Sequence, residues 1–415
     1  MRLTEGIRLL TTAATRLTKE SMSAPLSPPP APAAAPAQPA ALRVCTRCVM
    51  DTSDPDIHFD SVGVCHHCHD YDRLVRERLL TGAARDAARE RIVAQIRADG
   101  VGKPYDCIIG VSGGVDSSYV AYLVKQFGLR PLAVHLDNGW NSELAVSNIS
   151  NQLKILGIDL QTHVIDWEEF KDIQLAMLRA STPDSEIPTD HAIAALMRQT
   201  AERIGVRHIV TGCNIRTETH LPPAWSRGHG DWVYIRSVHR RFGSRPIHTF
   251  PHITYLQHRR LAGKQVLTDL LDYVDYVKKD AKAKLIRDLG WRDYGGKHFE
   301  SIYTRFYQGY ILPKKFGFDK RRSHLSSLIC SGEITRAEAL MELEKQPYPV
   351  EMQREDRAYA VKKFGITEAD FESIMRTPPK TFWDYPSYAK TLRHPVVKAA
   401  RSMVRILGLS ASRRG

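Results

Sequence analysis

Residues 106–117 read Asp106-Cys107-Ile108-Ile109-Gly110-Val111-Ser112-Gly113-Gly114-Val115-Asp116-Ser117. The unbroken apolar run Asp106–Val111 predicts a strand buried on both faces, and Val115–Phe127 predicts the helix that follows it. Between them, Gly113 and Gly114 let the backbone turn sharply and approach a ligand closely. The amides of this turn and of the first helical turn converge where the helix dipole favours negative charge. Ser112 and Ser117 add hydroxyls, and Asp116 is placed to hold Mg²⁺ beside bound phosphates. The bland alternative is a strand–helix turn capped by Ser112. The spacing differs from G-x-x-x-x-G-K-[ST], so transfer of a γ-phosphate is not implied.

Moving outward, Pro131–Leu136, Leu160–Val164 and His208–Thr211 predict further strands. Glu143–Leu156 and Ala192–Ile204 predict helices between them. This alternation predicts an α/β fold, a parallel sheet with helices on both faces. Ligands in such folds sit at the carboxyl ends of the strands. Asp137 ends the second strand, where capping the following turn is one reading. From residue 266 onward the pattern is mainly helical, clearest in Lys278–Leu289 and Thr335–Lys345. Five segments are expected: an Ala/Pro-rich tail (1–43), a cysteine knuckle (44–72), a nucleotide-binding domain (73–265), a helical part completing the active site (266–390) and a basic tail (391–415).

Cys45, Cys48, Cys65 and Cys68 are spaced C-x₂-C-x₁₆-C-x₂-C. Each C-x-x-C turn aims two thiolates at one point, and two turns complete a tetrahedral S₄ site for structural Zn²⁺. Redox pairs and an iron–sulfur centre are the competing readings. Cys107, Cys213 and Cys330 stand apart from this set. Cys107 belongs to the core, whereas Cys213 follows a strand end that faces the site.

Nine of the thirteen excess positive charges sit in residues 1–43 and 391–415. The remainder suits an anionic small substrate as much as a polynucleotide, so the folded part makes only a weak case for nucleic acid and no such partner is expected. Residues 24–41 contain seven prolines and predict an extended linker. No run of about 20 apolar residues predicts a membrane span, and no signal peptide is evident. A cytoplasmic location follows as the expectation. Apolar residues at helical spacing in 394–409 predict a terminal helix, docked on its own domain or in weak contact with a membrane.

The loop resembles the PP-loop of the ATP-pyrophosphatases (adenine-nucleotide α-hydrolase-like), and the knuckle narrows the likeness. Cys45-Thr46-Arg47-Cys48-Val49-Met50-Asp51, Gly63-Val64-Cys65, Thr211-Gly212-Cys213-Asn214, Gly228-His229-Gly230-Asp231-Trp232, Gly295-Gly296-Lys297-His298-Phe299-Glu300 and Thr304-Arg305-Phe306 resemble the WbpG-like N-acetyl sugar amidotransferases. These act in O-antigen and pseudaminic-acid pathways. The resemblance implies ATP, Mg²⁺ and a nucleotide-linked sugar whose acetamido group becomes acetamidino, with AMP and pyrophosphate released. It implies ATP contacts from Ser112, Gly113, Gly114, Asp116, Ser117 and Asp137. Asp116, Lys297 and Glu218 are the catalytic candidates. Lys297 neutralises phosphate charge, with Arg305 as a second cation, and exposed salt bridges are the alternative for both. Glu218 orients the acetamido group or takes protons from ammonia. Asn214, His229, Asp231, His298, Glu300 and Arg305 are the substrate candidates, with loop structure the alternative for Glu218, His229 and Asp231. No glutaminase arrangement is evident, so ammonia is expected from separate glutaminase and cyclase-like subunits. A tRNA-thiolating enzyme with Cys213 as persulfide carrier is the alternative function.

Overall fold

The computed structural model describes residues 42–296 and 299–394. Expectations for residues 1–41, for Lys297 and His298, and for 395–415 lie outside the described residues.

Past the knuckle come helices α1 (His66–Arg78) and α2 (Gly82–Asp99). The alternating unit then runs β1 (Cys107–Gly110), α3 (Val115–Gln126), β2 (Pro131–Asp137), α4 (Glu143–Leu156), β3 (Asp159–Val164), α5 (Trp167–Ala180), α6 (Ile187–Ile204) and β4 (His208–Thr211). Local chemistry sets several of these bounds. Ser142 caps α4 by accepting the Ala145 amide at 3.2 Å, and Asp166 caps α5 through the Glu169 amide at 2.9 Å. Pro188 in the first turn of α6 lacks the N–H that would be left unpaired there.

The five strands are all parallel, in the order β3-β2-β1-β4-β5. The fifth, β5 (Val266–Asp269), lies where the sequence pattern predicts helix, and pairs Val210 with Thr268. Period-two alternation divides the core into two layers. Cys107, Ile109, Ala133 and Val210 pack against Val120, Ala121, Val124, Ile149 and Leu153 of α3 and α4. Ile108, Leu132, Val134 and Ile209 face α5, α6 and the next long helix through Phe170, Ile173, Leu196 and Ile235. The sheet is therefore covered on both sides. Strand order reverses between β1 and β4, which opens a crevice at their carboxyl ends.

The remaining helices all follow β4 in the chain. They are α7 (Ile215–Glu218), α8 (Trp232–Phe242), α9 (Tyr255–Ala262), α10 (Lys278–Leu289), α11 (Ile302–Phe306), α12 (Arg321–Cys330), α13 (Arg336–Glu344), α14 (Val350–Phe364), α15 (Glu368–Arg376) and α16 (Tyr388–Arg393). Between α11 and α12 lies a π-helix, Tyr307–Phe316, that carries Pro313. Leu285, Leu289 and Trp291 close over Val115, Tyr119 and Tyr122 of α3, so α10 is anchored to the helix that opens the glycine loop. Among the described residues, no helix is long and apolar enough to cross a membrane.

Candidate active site and cysteine centre

The loop Ser112–Ser117 occupies the reversal point between β1 and β4. Gly113 has φ +82, and a Cβ there would meet the Tyr294 hydroxyl at 2.8 Å, so glycine is needed on both counts. Its carbonyl accepts Trp291 Nε1 and Tyr294 OH, each at 2.9 Å. The Gly114 amide meanwhile donates to Ser112 Oγ at 3.4 Å. Ser112 and Ser117 hydroxyls lie 3.1 Å apart, and the Ser112 amide donates to Ser117 Oγ at 3.2 Å. From the neighbouring strand, a Cβ on Gly212 would stand 3.1 Å from the Asp116 carbonyl carbon. A side chain there would press on the loop backbone, so glycine lets the end of β4 approach it closely.

Asp116 is gripped by two residues that sequence reading does not single out. Tyr276 OH bonds one carboxylate oxygen and Lys278 Nζ sits 2.8 Å from the other. Burial alone would push the Lys278 ammonium down. Asp116, with Glu218 and Glu300 behind it, outweighs burial and holds it above its ordinary value. The loop thus has a cation in place. A sequence signal existed, because α10 opens on Lys278-Lys279 at the positive end of its dipole, a local conflict that marks functional positions.

The other predicted residues fall into distinct places. Asp137 accepts the Gly139 amide at 2.9 Å and Asn141 Nδ2 at 3.3 Å, holding the turn after β2. Asn214 caps α7 through the Thr217 amide at 2.9 Å. Asp231 caps two helices, accepting Tyr234 N at 3.0 Å for α8 and Tyr388 N and Ala389 N at 3.1 Å for α16. Arg305 forms a two-pronged bond with Asp356 at 2.8 and 2.7 Å, beneath Phe299 and Tyr348. That pair is largely buried, not the exposed bridge expected as its alternative. Glu300 comes to the loop, since a Cβ on Gly114 would be 3.3 Å from its Oε1. Glu218 lies at the end of the short helix that follows β4, exposed, with its charge acting on Lys278 and Cys213.

From Glu300 the chain leads to a second polar cluster. Thr304 and Gln308 both bond Glu186, the latter at 3.0 Å. The π-helix delivers Gln308, in keeping with the occurrence of such turns at functional positions. Tyr307 OH accepts the Ser185 amide at 3.1 Å, and Tyr303 OH bonds the Ser185 hydroxyl at 2.6 Å. His229 Nε2 is 2.9 Å from Ser226 Oγ, 3.3 Å from Asp190 and 3.6 Å from Asp184. Burial pushes Glu186 up to about 7, with Lys320 offsetting part of the shift and Asp184 adding to it. Burial alone would lower His229, but Asp184 and Asp190 outweigh it and raise its pKa. Asp184, Glu186 and Asp190 share one short stretch, but their partners His229, Thr304, Gln308 and Lys320 come from elsewhere in the chain, so the cluster is not legible in the sequence.

The four knuckle cysteines are buried, with their sulfurs all within 4.8 Å of one another. Cys48 and Cys65 sulfurs are 3.6 Å apart, and Cys65 and Cys68 3.8 Å. Zinc–sulfur bonds of about 2.3 Å require a tetrahedral edge of roughly 3.8 Å, so the cluster fits that ion. Cys45 Sγ accepts amides from Arg47, Cys48 and Cys65 at 3.2 to 3.4 Å, as a thiolate ligand does. Arg336 ties this knuckle to α13 through the Cys48 and Cys45 carbonyls at 3.0 and 2.9 Å. Cys107 is in the core as expected. Cys330 is not apart from the knuckle, because α12 carries its sulfur to 3.8 Å from Cys68.

Residues 300–398 match the family model described as LPS biosynthesis protein WbpG-like, C-terminal domain. An uncharacterized protein of Methanocaldococcus jannaschii is 26% identical over 282 residues, covering 66% of this chain and 84% of that protein. The glutamine-hydrolyzing GMP synthase of Pyrobaculum aerophilum is 37% identical over 114 residues, 26% of this chain and 20% of that enzyme. Among solved structures, NMN synthetase from Francisella tularensis aligns at 13% identity with a TM-score of 0.26, covering 49% of this chain and 95% of that one. The chain is thus similar to WbpG-like proteins over residues 300–398 and, over 114 residues, to a GMP synthase, and it carries its glycine loop on a parallel sheet.

Proposed function

We propose that this chain adenylates the acetamido oxygen of a nucleotide-linked N-acetyl sugar and delivers ammonia to the activated carbon. The observation that carries this reading is the segment Glu300–Gln308, which joins the phosphate loop to the Glu186 cluster. Two polar centres are needed because the reaction has two halves. An amide carbonyl is a poor electrophile, so its oxygen first attacks the α-phosphorus of ATP and the bond to pyrophosphate breaks. Ammonia then adds to the imidate carbon, and AMP departs with the former amide oxygen. Ser112, the Gly113-Gly114 amides, Ser117 and Lys278 hold phosphate, while Asp116 holds Mg²⁺ and Asp137 borders the adenosine. In this reading the Glu186 cluster, with His229, takes the sugar and the protons that ammonia releases, beside Glu218. Lys297 and His298 remain assigned to the phosphates and the substrate. Asp231, Asn214 and Arg305 support the site by holding its helices. Zinc is the knuckle's metal. Surface-glycan assembly is the setting, in the cytoplasm, with glutaminase and cyclase-like subunits as the ammonia source.

Cys213 bears on the thiolation alternative. Cys213 is exposed, and partial desolvation together with the Glu218 carboxylate raises its thiol, whereas a persulfide carrier needs a thiolate near neutral pH. The deciding experiment is mass spectrometry of UDP-, GDP- and dTDP-linked N-acetyl sugars incubated with ATP, Mg²⁺ and ammonium. One sugar should lose about 1 Da as oxygen is exchanged for NH, with AMP formed in equal amount, and Cys213→Ser should keep this activity within a few-fold. Formation of ADP, or a dead serine variant, would rule the proposal out.

Glu186 gives a pH signature. Its folded value of about 7 lies above the ordinary 4.5, so the folded state holds an extra proton between those limits. Its contribution to stability is therefore full below about 4.5 and is lost as pH rises through about 7. As a proton acceptor it works only when ionised. At constant free ammonia the rate should climb tenfold per unit below pH 7 and level above it, and Glu186→Gln should abolish this limb. An unchanged profile in the glutamine variant would remove Glu186 from proton transfer.

A further inference from the structure

We infer that the knuckle is half of a two-metal centre, in which Cys68 bridges to a second divalent ion held by His220 and Cys330. The three ligand atoms lie within 4.8 Å of one another. Cys68 and Cys330 sulfurs are 3.8 Å apart, and Cys330 Sγ is 3.6 Å from His220 Nε2. With zinc–sulfur and zinc–nitrogen bonds of about 2.3 and 2.05 Å, tetrahedral edges come to roughly 3.8 Å for S···S and 3.6 Å for S···N. Both match.

The surroundings are those of a ligand set. His220 is fully buried, and its Nδ1 is bonded to Ser327 Oγ at 3.0 Å. That contact leaves Nε2 facing Cys330, and such outer bonds commonly orient a metal-binding imidazole. Tyr71 and His67 pack beside the ring and limit its rotation. Cys45 and Cys48 sulfurs accept backbone amides. Among the described residues no amide reaches Cys68 Sγ, whose outward side faces Cys330. A bridging thiolate has that use for its spare electron pairs.

Charge points the same way. A dication with four thiolates carries about two net negative charges, and all four cysteines are buried. Arg322 and Arg336 meet the knuckle backbone at carbonyl oxygens, not at sulfur. A second dication with the Cys330 thiolate and neutral His220 brings the total to about −1. Three protein ligands leave its fourth position open to water or a small donor. His220 lies two residues beyond Glu218 on the chain leaving α7.

Full-length protein, prepared anaerobically with reductant and equilibrated with excess Zn²⁺ before desalting, should contain two zinc ions per chain by mass spectrometry. Cys330→Ser and His220→Ala should each contain one. Titration with Co²⁺ should show two phases of thiolate-to-cobalt absorption near 350 nm, with the second lost in both variants. One ion per chain in the wild type, unchanged by Cys330→Ser, overturns the inference and leaves Cys330 as an S–H donor to Cys68. Metal-free folded protein would overturn the knuckle zinc as well, so the two failures are distinguishable. If either variant fails to fold, the wild-type stoichiometry alone decides.

Discussion

Lys278→Ala should lower ATP-dependent AMP formation by about a hundredfold or more, mainly in kcat, with the fold retained. Removing one preorganised group from a developing oxyanion costs roughly 10² to 10³ in rate, and Lys278 is the cation the structure places at the loop. Its charge is held ready by Asp116, so it need not be recruited when ATP arrives. Asp116→Ala should be similarly damaging, through loss of a Mg²⁺ partner and of this grip on Lys278. Because the two side chains act as one unit, the double variant should be little worse than either single one. Circular dichroism checks the fold and steady-state kinetics the rate. Activity of Lys278→Ala within a few-fold of wild type would return the phosphate role to Lys297.

Cys45→Ser, or removal of metal by a strong chelator, should cost most of the soluble protein before any catalytic effect can be read. Metal binding in small thiolate sites is worth about 10 to 16 kcal/mol in zinc-finger peptides, comparable to the entire stability of an ordinary domain. The damage should spread because the knuckle is built into the C-terminal part. Arg336 bonds two knuckle carbonyls, Val49 donates to Ser326 Oγ at 3.2 Å, and Arg322 reaches Asp51 at 3.0 Å. Loss of the metal frees these partners in α12 and α13, and α12 carries Cys330 and Ser327. Size-exclusion chromatography and thermal melts with and without added Zn²⁺ give the measurement. Soluble, cooperatively melting metal-free protein with normal activity would show that the four cysteines need no ion.

The pattern around residues 106–117 determined the strand, glycine loop and helix at the centre of the sheet. An apolar run, two glycines and a helix opening on Asp116 fix their own geometry, because each depends on neighbours within a dozen residues. The C-x-x-C pairs are equally local, and their sulfurs converge as the spacing predicts. β5 escaped because four residues give too little pattern to oppose the helical signal around them, and pairing with β4 decides it. The cation at the loop escaped for a different reason. Lys278, Lys297 and Arg305 are equivalent as sequence, and only packing of α10 on α3 brings the first to Asp116, while Asp356 takes the last. Asp231 and Asn214 carry polar side chains that suit a substrate as well as a helix end, and the fold uses both as caps. Glu186 and its partners come from separate segments, so neither their convergence nor the shift of Glu186 to about 7 exists until burial is set. Cys330 is the clearest case. Its distance from Cys68 along the chain says nothing, and α12 closes that distance to van der Waals contact, since long-range packing rather than local propensity places side chains of different elements together.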